Sequence, residues 1–309
     1  MKGTRSEGIS KTWTQILADY DLYLMLLPVL AFFILFRYVP MGGIMIAFQD
    51  YNLVGGILGS PWVGLKHFRA MLATPGFINA LRNTLIINFW KYLTYTPAPL
   101  ILAIMVNELR NRRFKKVVQT ITYFPNFISW IIVFGILMNL LSAQNGLINQ
   151  VITYFGGESV PFMISKKYFV GILVTSDIWK YVGIDSIIYL SALTAIDPQL
   201  YESAVVDGAG KMRRIFSITI PCVANTFFIM LILSLGRVLD AGHDQIIALY
   251  SQPVYDVADV LSTYVYRTGV TSMKYSYSSA VGLFSSLVGL IMISFSNWLS
   301  RKYSETSVW

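Results

Sequence analysis

The chain of 309 residues is strongly apolar, with 55% hydrophobic and only 13% charged residues. Its mean hydropathy of +0.58 excludes an ordinary soluble globular domain. The net charge of +8 at pH 7 does not indicate nucleic-acid binding, because the sequence contains no basic, aromatic-interleaved domain that could hold a strand.

Six apolar runs follow one another along the chain, each close to or above the ~20 residues that a helix needs to cross a hydrocarbon core. They span residues 22–39, 84–106, 117–141, 169–193, 222–239 and 280–299. The pattern predicts an all-α integral membrane protein with six transmembrane helices. Residues 22–300 form the predicted transmembrane domain, between an N-terminal segment at 1–21 and a short tail at 301–309.

Basic residues cluster on one side of this topology. The densest group lies at residues 110–116, after the second run, and smaller groups lie before the first run, at 211–214 and after the last run. Cytoplasmic loops of membrane proteins carry an excess of Lys and Arg. The distribution therefore predicts that both termini, and the segment between the fourth and fifth runs, face the cytoplasm.

The segment between the fourth and fifth runs contains several helix signals. Asp197 can cap a helix, and Pro198 suits its first position, where a missing N–H is harmless. Gly208 can stop that helix, since glycine adopts the left-handed conformation found at helix ends. A second short helix is predicted at about residues 211–218, before Pro221 closes the unit. Two short helices hinged at a glycine predict a docking element on the cytoplasmic face.

Residues 197–221 also resemble the EAA loop of ABC import permeases, the membrane subunits of binding-protein-dependent transporters. Glu202, the run Asp207-Gly208-Ala209, Phe216 and Pro221 stand at the spacing of that family, with Ser203 in place of its usual first Ala. In the family this loop forms coupling helices that insert into a cleft on ATPase subunits. The resemblance implies the type I importer permease fold, with the coupling loop between helices 4 and 5.

The resemblance also implies roles for individual residues. Glu202 would bond to a basic group on the ATPase, while Asp207 and Gly208 would fix the turn. Ala204, Ala209 and Phe216 would pack into the cleft. The complete implied coupling set is Glu202, Ala204, Asp207, Gly208, Ala209, Gly210, Phe216 and Pro221. ATP and Mg would be bound by the partner ATPase subunits, and this chain would bind no cofactor or metal.

Further segments resemble carbohydrate permeases in particular. Residues 60–68, 123–130 and 145–149 are similar to segments of sugar importers, and the stretch at 24–51 is similar to the LplB-like subgroup. That subgroup imports complex oligosaccharides. The resemblance implies a bacterial cytoplasmic-membrane importer with a paralogous second permease subunit, two ATPase subunits and an extracytoplasmic solute-binding protein.

Ionisable residues inside predicted spans are costly, so they are candidates for the substrate pathway. Two pairs, Asp177 with Lys180 and Arg237 with Asp240, are three residues apart and can share a helix face, where they would partly neutralise each other. Amide groups and flat aromatic faces suit a sugar. The predicted pathway set is Asn139, Asp177, Trp179, Lys180, Tyr181, Asp185, Tyr189, Arg237 and Asp240. The alternative is structural: charged pairs that pin helices together, and Trp and Tyr in interfacial belts.

No enzyme motif is complete. The run from Gly208 to Lys211 resembles the end of a phosphate loop, but Met212 replaces its Ser or Thr and Val205 its first Gly. The sequence therefore predicts a pore subunit without its own ATPase site. Three other classes stay open: an ion-coupled secondary transporter, a membrane scaffold or receptor, and an ABC permease for a solute other than a sugar.

Overall fold

A computed structural model describes residues 19–235 and 238–303 of the chain. Within these ranges the secondary structure consists of helices and turns without a β-strand, which confirms the predicted all-α class. The predicted N-terminal segment and C-terminal tail fall mainly on residues 1–18 and 304–309, outside the described ranges.

Helices of very different lengths make up the described chain. In chain order they are α1 (Tyr20–Phe33), α2 (Val39–Met41), α3 (Gly56–Gly59), α4 (Lys66–Ala73), α5 (Pro75–Tyr95), α6 (Pro97–Asn107), α7 (Arg112–Tyr123), α8 (Trp130–Leu141), α9 (Leu147–Tyr154), α10 (Lys166–Thr194), α11 (Pro198–Val206), α12 (Lys211–Arg214), α13 (Ile220–Leu235), α14 (His243–Leu249), α15 (Tyr255–Ala258), α16 (Leu261–Tyr266) and α17 (Tyr275–Tyr303). Short π- or 3₁₀-helical turns extend or connect several of them, at Ile34–Tyr38, Gly42–Phe48, Phe124–Phe127, Phe162–Ile164, Ile215–Thr219, Gln252–Val254 and Arg267–Thr271.

Three helical stretches among the described residues are long and apolar enough to cross a membrane. They are Tyr20–Phe48, Lys211–Leu235 and Tyr275–Trp298, and they coincide with the predicted first, fifth and sixth spans. A fourth is obtained if the bent pair Arg112–Phe127 and Trp130–Leu141 counts as one span. The described chain thus carries three or four of the six predicted spans by length and apolar composition.

The predicted second and fourth spans are not among these long apolar stretches. The second is divided between two helices, because α5 ends at Tyr95 and Pro97 begins α6. The fourth lies in α10, whose 29 residues are long enough for a hydrocarbon core of about 30 Å. However, α10 carries three ionisable residues along its middle, Asp177, Lys180 and Asp185. Membrane crossing by these two segments stays a prediction.

The third predicted span is not the single run at 117–141 that its apolar sequence suggests. The chain bends by 107° between Arg112–Phe127 and Trp130–Leu141. Pro125 stands in the 3₁₀ turn that ends the first part, where it removes a backbone donor and disfavours a helical residue before it. The Ser129 side chain then accepts from the N–H of Ile132 and caps α8 as a new helix. Apolar composition identified the stretch, and the proline and the cap divide it.

The central element of the fold is α10, which packs against α5, α6, α7 and α13. One buried cluster joins α10 to α8 and α14, another joins α5 to α16 and α17, and a third joins α6, α10 and α13. At Gly183 the backbone of α10 comes so close to the carbonyl of Thr122 that a Cβ atom would collide with it. The absence of a side chain at this glycine therefore permits the contact between α10 and the end of α7.

Candidate functional site: a coupling loop and a polar cavity

The start of the predicted coupling loop folds as its helix signals predict. Asp197 caps α11, and its Oδ1 accepts from the backbone N–H of Gln199 at 2.9 Å. Pro198 is the first helical residue. The carboxylate satisfies one of the backbone donors that a helix leaves free at its N-terminus, so the start of α11 is fixed by two adjacent residues.

The end of α11 is closed by Gly208, as predicted. This glycine has φ +77°, in the left-handed region. Its N–H donates to the carbonyl of Val205 at 3.0 Å, and the N–H of Ala209 donates to that of Ala204 at 2.8 Å. These two bonds form a Schellman ending, in which a glycine with positive φ satisfies the last carbonyls of the helix.

The second half of the loop differs from the prediction. Instead of a separate short helix at 211–218, a continuous helical stretch runs from Lys211 to Leu235. A π turn at Ile215–Thr219 lies within it, and Ile220 there donates to the carbonyl of Ile215. Pro221 lacks an N–H, and the wider turn before it lets the chain stay helical. Pro221 therefore stands inside the first turn of α13 and does not close the unit.

Most of the implied coupling residues are open to solvent. Glu202, Asp207, Gly208, Gly210, Phe216 and Pro221 are exposed, while Ala204 and Ala209 are partly buried. Large apolar side chains are exposed in the same segment, including Val206 at 87%, Phe216 at 63% and Met212 at 62%. An apolar surface of this kind next to carboxylates fits a partner protein, because isolated soluble surfaces seldom keep it uncovered.

Two side-chain contacts that sequence reasoning did not predict hold this loop, one within it and one to the rest of the protein. The hydroxyl of Tyr201 is 2.9 Å from the Thr219 hydroxyl, which joins α11 to the π turn. The Lys211 ammonium lies 3.3 Å from the Glu108 carboxylate, just beyond the end of α6. The two halves of the loop are thus joined to each other, and its second half is joined to the end of α6.

Four residues of α10 recur at a spacing of four and point into one cavity. Asp177, Tyr181, Asp185 and Tyr189 lie one helical turn apart along the same face. The cavity has a volume of about 810 Å³. It is lined by Asn88, Lys91, Tyr92, Tyr95, Thr96, Pro99, Asp177, Tyr181, Asp185, Tyr189, Met230, Leu233, Ser234, Asp240, Ala241, Gly242 and Ile293. Five members of the predicted pathway set therefore converge on one space, the four from α10 and Asp240.

A buried lysine, Lys91 of α5, organises one wall of this cavity. Its ammonium donates to the Gln245 side-chain oxygen at 2.7 Å and to the carbonyl of Ala241 at 3.0 Å. It also lies 3.4 Å from the Asp177 carboxylate. Gln245 in turn donates to the carbonyl of Leu173 at 2.7 Å. An ammonium has three protons, so these three partners can satisfy Lys91.

Two tyrosines in the lining of the cavity are also held by side-chain contacts. The hydroxyl of Tyr95 donates to the carboxylate of Asp185. The hydroxyl of Tyr181 accepts from the Trp130 indole N–H at 3.2 Å. Carboxylates and oriented hydroxyls beside aromatic rings are groups that can bind the hydroxyls and the apolar faces of sugar rings.

The remaining members of the predicted pathway set lie elsewhere. Lys180 is buried and donates to the carbonyls of Pro125 at 3.2 Å and Asn126 at 3.1 Å, and also to that of Ile128. The ionic partner of Asp177 is thus Lys91, not Lys180. Trp179 is 44% exposed on another face of α10, and Asn139 is exposed on α8. Arg237 lies outside the described residues.

Sequence reasoning missed the contribution of α5 to the cavity. Lys91 is an ionisable residue inside a predicted span, which was a sufficient signal for a functional or structural site. Asn88 donates to the carbonyl of Val238 at 2.7 Å, and Tyr92 donates to that of Ser234 at 2.8 Å. No local signal identifies these two, because their partners lie 142 to 150 residues away in the sequence.

Comparison with known proteins identifies a family match and relatives of the chain. Residues 96–305 match the model of the family described as "binding-protein-dependent transport system inner membrane component". The chain is 44% identical to the polygalacturonan/rhamnogalacturonan transport system permease protein YteP of Bacillus subtilis (strain 168), over 99% of this chain and 95% of that protein. It is 40% identical to protein LplB of the same organism, over 98% of this chain and 95% of that protein.

The fold is similar to that of a solved transporter. A chain of a bacterial ABC transporter involved in the import of the acidic polysaccharide alginate superposes with a TM-score of 0.89. The two chains are 39% identical, and the match covers 95% of this chain and 99% of that chain. The same similarity holds for the alginate transporter in complex with an alginate pentasaccharide-bound periplasmic protein. The chain therefore belongs to the binding-protein-dependent transport system inner membrane component family.

Proposed function

We propose that this chain is a membrane-spanning permease subunit of an ATP-driven importer of a complex oligosaccharide. It would lie in the bacterial cytoplasmic membrane with both termini in the cytoplasm. A paralogous second permease subunit, two ATPase subunits and an extracytoplasmic solute-binding protein would complete the importer. ATP and Mg would be bound by the ATPase subunits.

The observation that carries this proposal is the continuity of α10 with the coupling loop. The same helix presents Asp177, Tyr181, Asp185 and Tyr189 to the cavity and leads, through three residues after Thr194, into α11. A displacement of α11 by an ATPase would therefore act directly on the wall of the cavity. Rigid helices are suited to such transmission, because packed elements move as units.

The substrate class is supported by the cavity and by the relatives. A volume of about 810 Å³ is within the range of ligand sites and leaves room for a few sugar rings. Carboxylates and tyrosine hydroxyls supply acceptors and donors for sugar hydroxyls. Two relatives are named for polygalacturonan/rhamnogalacturonan and for alginate, both of them polysaccharides. We infer an oligosaccharide of this general kind as the transported solute.

The deciding experiment is transport by the reconstituted importer. The chain would be co-produced with the candidate second permease and ATPase subunits of its source organism, and the complex placed in proteoliposomes with the cognate binding protein. We expect ATP-dependent uptake of oligogalacturonides or related fragments, and stimulation of ATP hydrolysis by the sugar-loaded binding protein. Uptake that needs no ATP and collapses with a protonophore would establish the secondary transporter instead. ATP-dependent uptake of a non-sugar solute alone would overturn the substrate class.

Glu202→Gln tests the proposed contact with the ATPase. Removing the charge from this exposed carboxylate should lower sugar-stimulated ATP hydrolysis about tenfold, since a hydrogen bond to a charged group is worth about 1.5–3 kcal/mol. Glu158→Gln is the matched control, because Glu158 is also exposed but lies on the predicted outer side. Equal effects of the two substitutions would contradict the assignment of Glu202.

A further inference from the structure

Helix α7 begins with a concentration of positive charge that the coupling mechanism does not use. Arg112, Arg113, Lys115 and Lys116 occupy four of its first five positions, without an acidic residue in the first turn. Cations at a helix N-terminus are opposed by the helix dipole, so this arrangement is unfavourable in isolation. In the described part of the chain none of the four forms an ion pair. The charges therefore lack an anionic partner within the described protein.

An exposed apolar stripe runs beside these charges. Phe114, Val117 and Ile121 are 54%, 52% and 66% exposed, and their spacing of three and four residues places them on one face of α7. Arg112, Arg113 and Lys116 are exposed next to that stripe. A soluble nucleic acid would match the charges but not the apolar stripe. A membrane interface matches both, because its surface carries phosphates above an acyl region.

The position of α7 agrees with such an interface. A bend of 107° separates it from the apolar helix α8, so the axis of α7 is turned away from that of α8. The predicted orientation puts residues 110–116 at the cytoplasmic surface. A basic amphipathic helix next to a membrane span is typical of proteins that bind anionic lipid headgroups.

We propose that the face formed by Arg112, Arg113, Phe114, Lys116 and Val117, here called the headgroup face, binds anionic phospholipids of the cytoplasmic leaflet. The basic side chains contact the lipid phosphates, and the two apolar side chains enter the region of the acyl chains. The binding surface goes beyond the proposed transport function and does not depend on which solute is carried.

The headgroup face is mechanically connected to the transport elements. The end of α7 contacts α10 at Gly183, where the backbones approach without room for a side chain. Lys180 of α10 donates to the carbonyls of Pro125 and Asn126, directly after α7. Since α10 leads into α11, a lipid that holds α7 at the interface also stabilises the packing on which the coupling loop depends.

The test compares the complete importer in nanodiscs of pure phosphatidylcholine and in nanodiscs with added phosphatidylglycerol. The variant Arg112→Gln/Arg113→Gln/Lys116→Gln removes three charges from the headgroup face. Each basic residue near an anionic surface contributes about fivefold to binding, so the triple variant should lose most of its retained phosphatidylglycerol. Lipid retention is counted by native mass spectrometry of the purified complex. The rise in melting temperature caused by phosphatidylglycerol is measured in parallel.

Two control variants test whether the effect is specific to the headgroup face and to its charge. Arg69→Gln/Lys167→Gln/Lys274→Gln removes the same charge from exposed residues on the predicted outer side and should behave like the unmodified importer. Arg112→Lys/Arg113→Lys keeps the charge and should keep the lipid. Unchanged retention of phosphatidylglycerol by the first variant, in a complex that assembles normally, would overturn the proposal. So would an equal loss of stability in both lipids, which would indicate that α7 docks on another subunit. Lipid is counted without sugar or ATP, so this result is independent of the proposed function.

Discussion

The predicted coupling loop, residues 197–221, and the cavity are built in opposite ways. The two ends of α11 in the loop are fixed by contacts between near neighbours, such as Asp197 with Gln199, two residues apart. The cavity is fixed by contacts between distant segments, such as Lys91 with Gln245, 154 residues apart. Local contacts leave the loop surface free to meet a partner. Long-range contacts make the cavity a property of the whole fold.

The two regions also differ in how their polar groups are satisfied. The Lys91 ammonium is buried with all its protons directed at acceptors, whereas Glu202 and Asp207 are exposed. A buried charge must keep its partners, because leaving an ion unpaired in a low dielectric is costly. An exposed carboxylate can change partners during a transport cycle. Substitutions of the buried Lys91 and its partners should therefore affect stability first, and substitutions in the loop should affect coupling first.

The largest effect is expected from Lys91→Met. The substitution leaves the Asp177 carboxylate, the Gln245 side chain and the carbonyl of Ala241 without their shared donor. Breaking a buried ion pair from one side costs about 3–5 kcal/mol. We expect a clear fall in the melting temperature of the purified complex and a low yield in membranes.

A double substitution distinguishes the effect of the unpaired charge on stability from the effect of lost packing. In Lys91→Met/Asp177→Leu both charges are removed, and much of the lost stability should return. Lys167→Met, at an exposed lysine of the same helix as Asp177, serves as the control and should be neutral. A stable, normally folded Lys91→Met single variant would show that the network does not hold the cavity wall.

The next effect is that of Gly208→Pro. Proline holds φ near −65°, whereas Gly208 has +77°, and it cannot donate the N–H that reaches Val205. The turn after α11 must rearrange, but no buried packing is lost. We expect an inserted complex in which ATP hydrolysis no longer drives transport, with uptake reduced at least about tenfold, or 1.4 kcal/mol.

Uptake and ATP hydrolysis by the same proteoliposomes measure this uncoupling. Gly171→Ala is the control, since Gly171 lies in α10 with open space around its Cβ position and an ordinary helical backbone. Normal uptake by a fully inserted Gly208→Pro variant would refute the role of the turn in coupling.

The same contrast explains what the sequence could predict. The start and the end of α11 are determined by residues adjacent in the sequence, the Asp197 cap and the Gly208 stop. Their positions were therefore predictable. The turn at Pro221 was not, because a π turn compensates for the missing N–H and keeps the helix continuous. The bend at Pro125 and Ser129 had local signals, a proline followed by a helix cap, but an apolar run masked them.

The cavity was predictable only in part. The periodicity of α10 places Asp177, Tyr181, Asp185 and Tyr189 on one face, and the face points inward. Asp177 forms its ion pair with Lys91 because α5 packs beside α10. Lys180, which is nearer to Asp177 in the sequence, donates to backbone carbonyls instead. Sequence spacing identifies possible pairs within one helix, whereas a tertiary contact decides between them.

Asp185→Asn should have an intermediate effect and affect transport more than stability. Asparagine keeps the size and one acceptor for the Tyr95 hydroxyl but loses the charge that strengthens hydrogen bonds in the cavity. We expect sugar uptake to fall about tenfold, as for one lost bond to a charged group. Trp179→Leu is the comparison, because Trp179 lies on α10 outside the cavity and should change uptake less than twofold. A larger effect of Trp179→Leu would move the pathway to the other face of α10.

The smallest effect is expected at the contact between Glu108 and Lys211, which joins the two regions. Its atoms are 3.3 Å apart, and the side chains are 29% and 57% exposed, so solvent screens the pair. An ion pair of this exposure contributes about 0.2–1 kcal/mol. A double-mutant cycle with Glu108→Gln and Lys211→Gln, measured by sugar-stimulated ATP hydrolysis, should give a coupling energy in that range. A much larger value would mean that the end of α6, and not α10 alone, transmits movement from the loop to the cavity. A value of zero would leave transmission to the backbone continuity of α10 and α11.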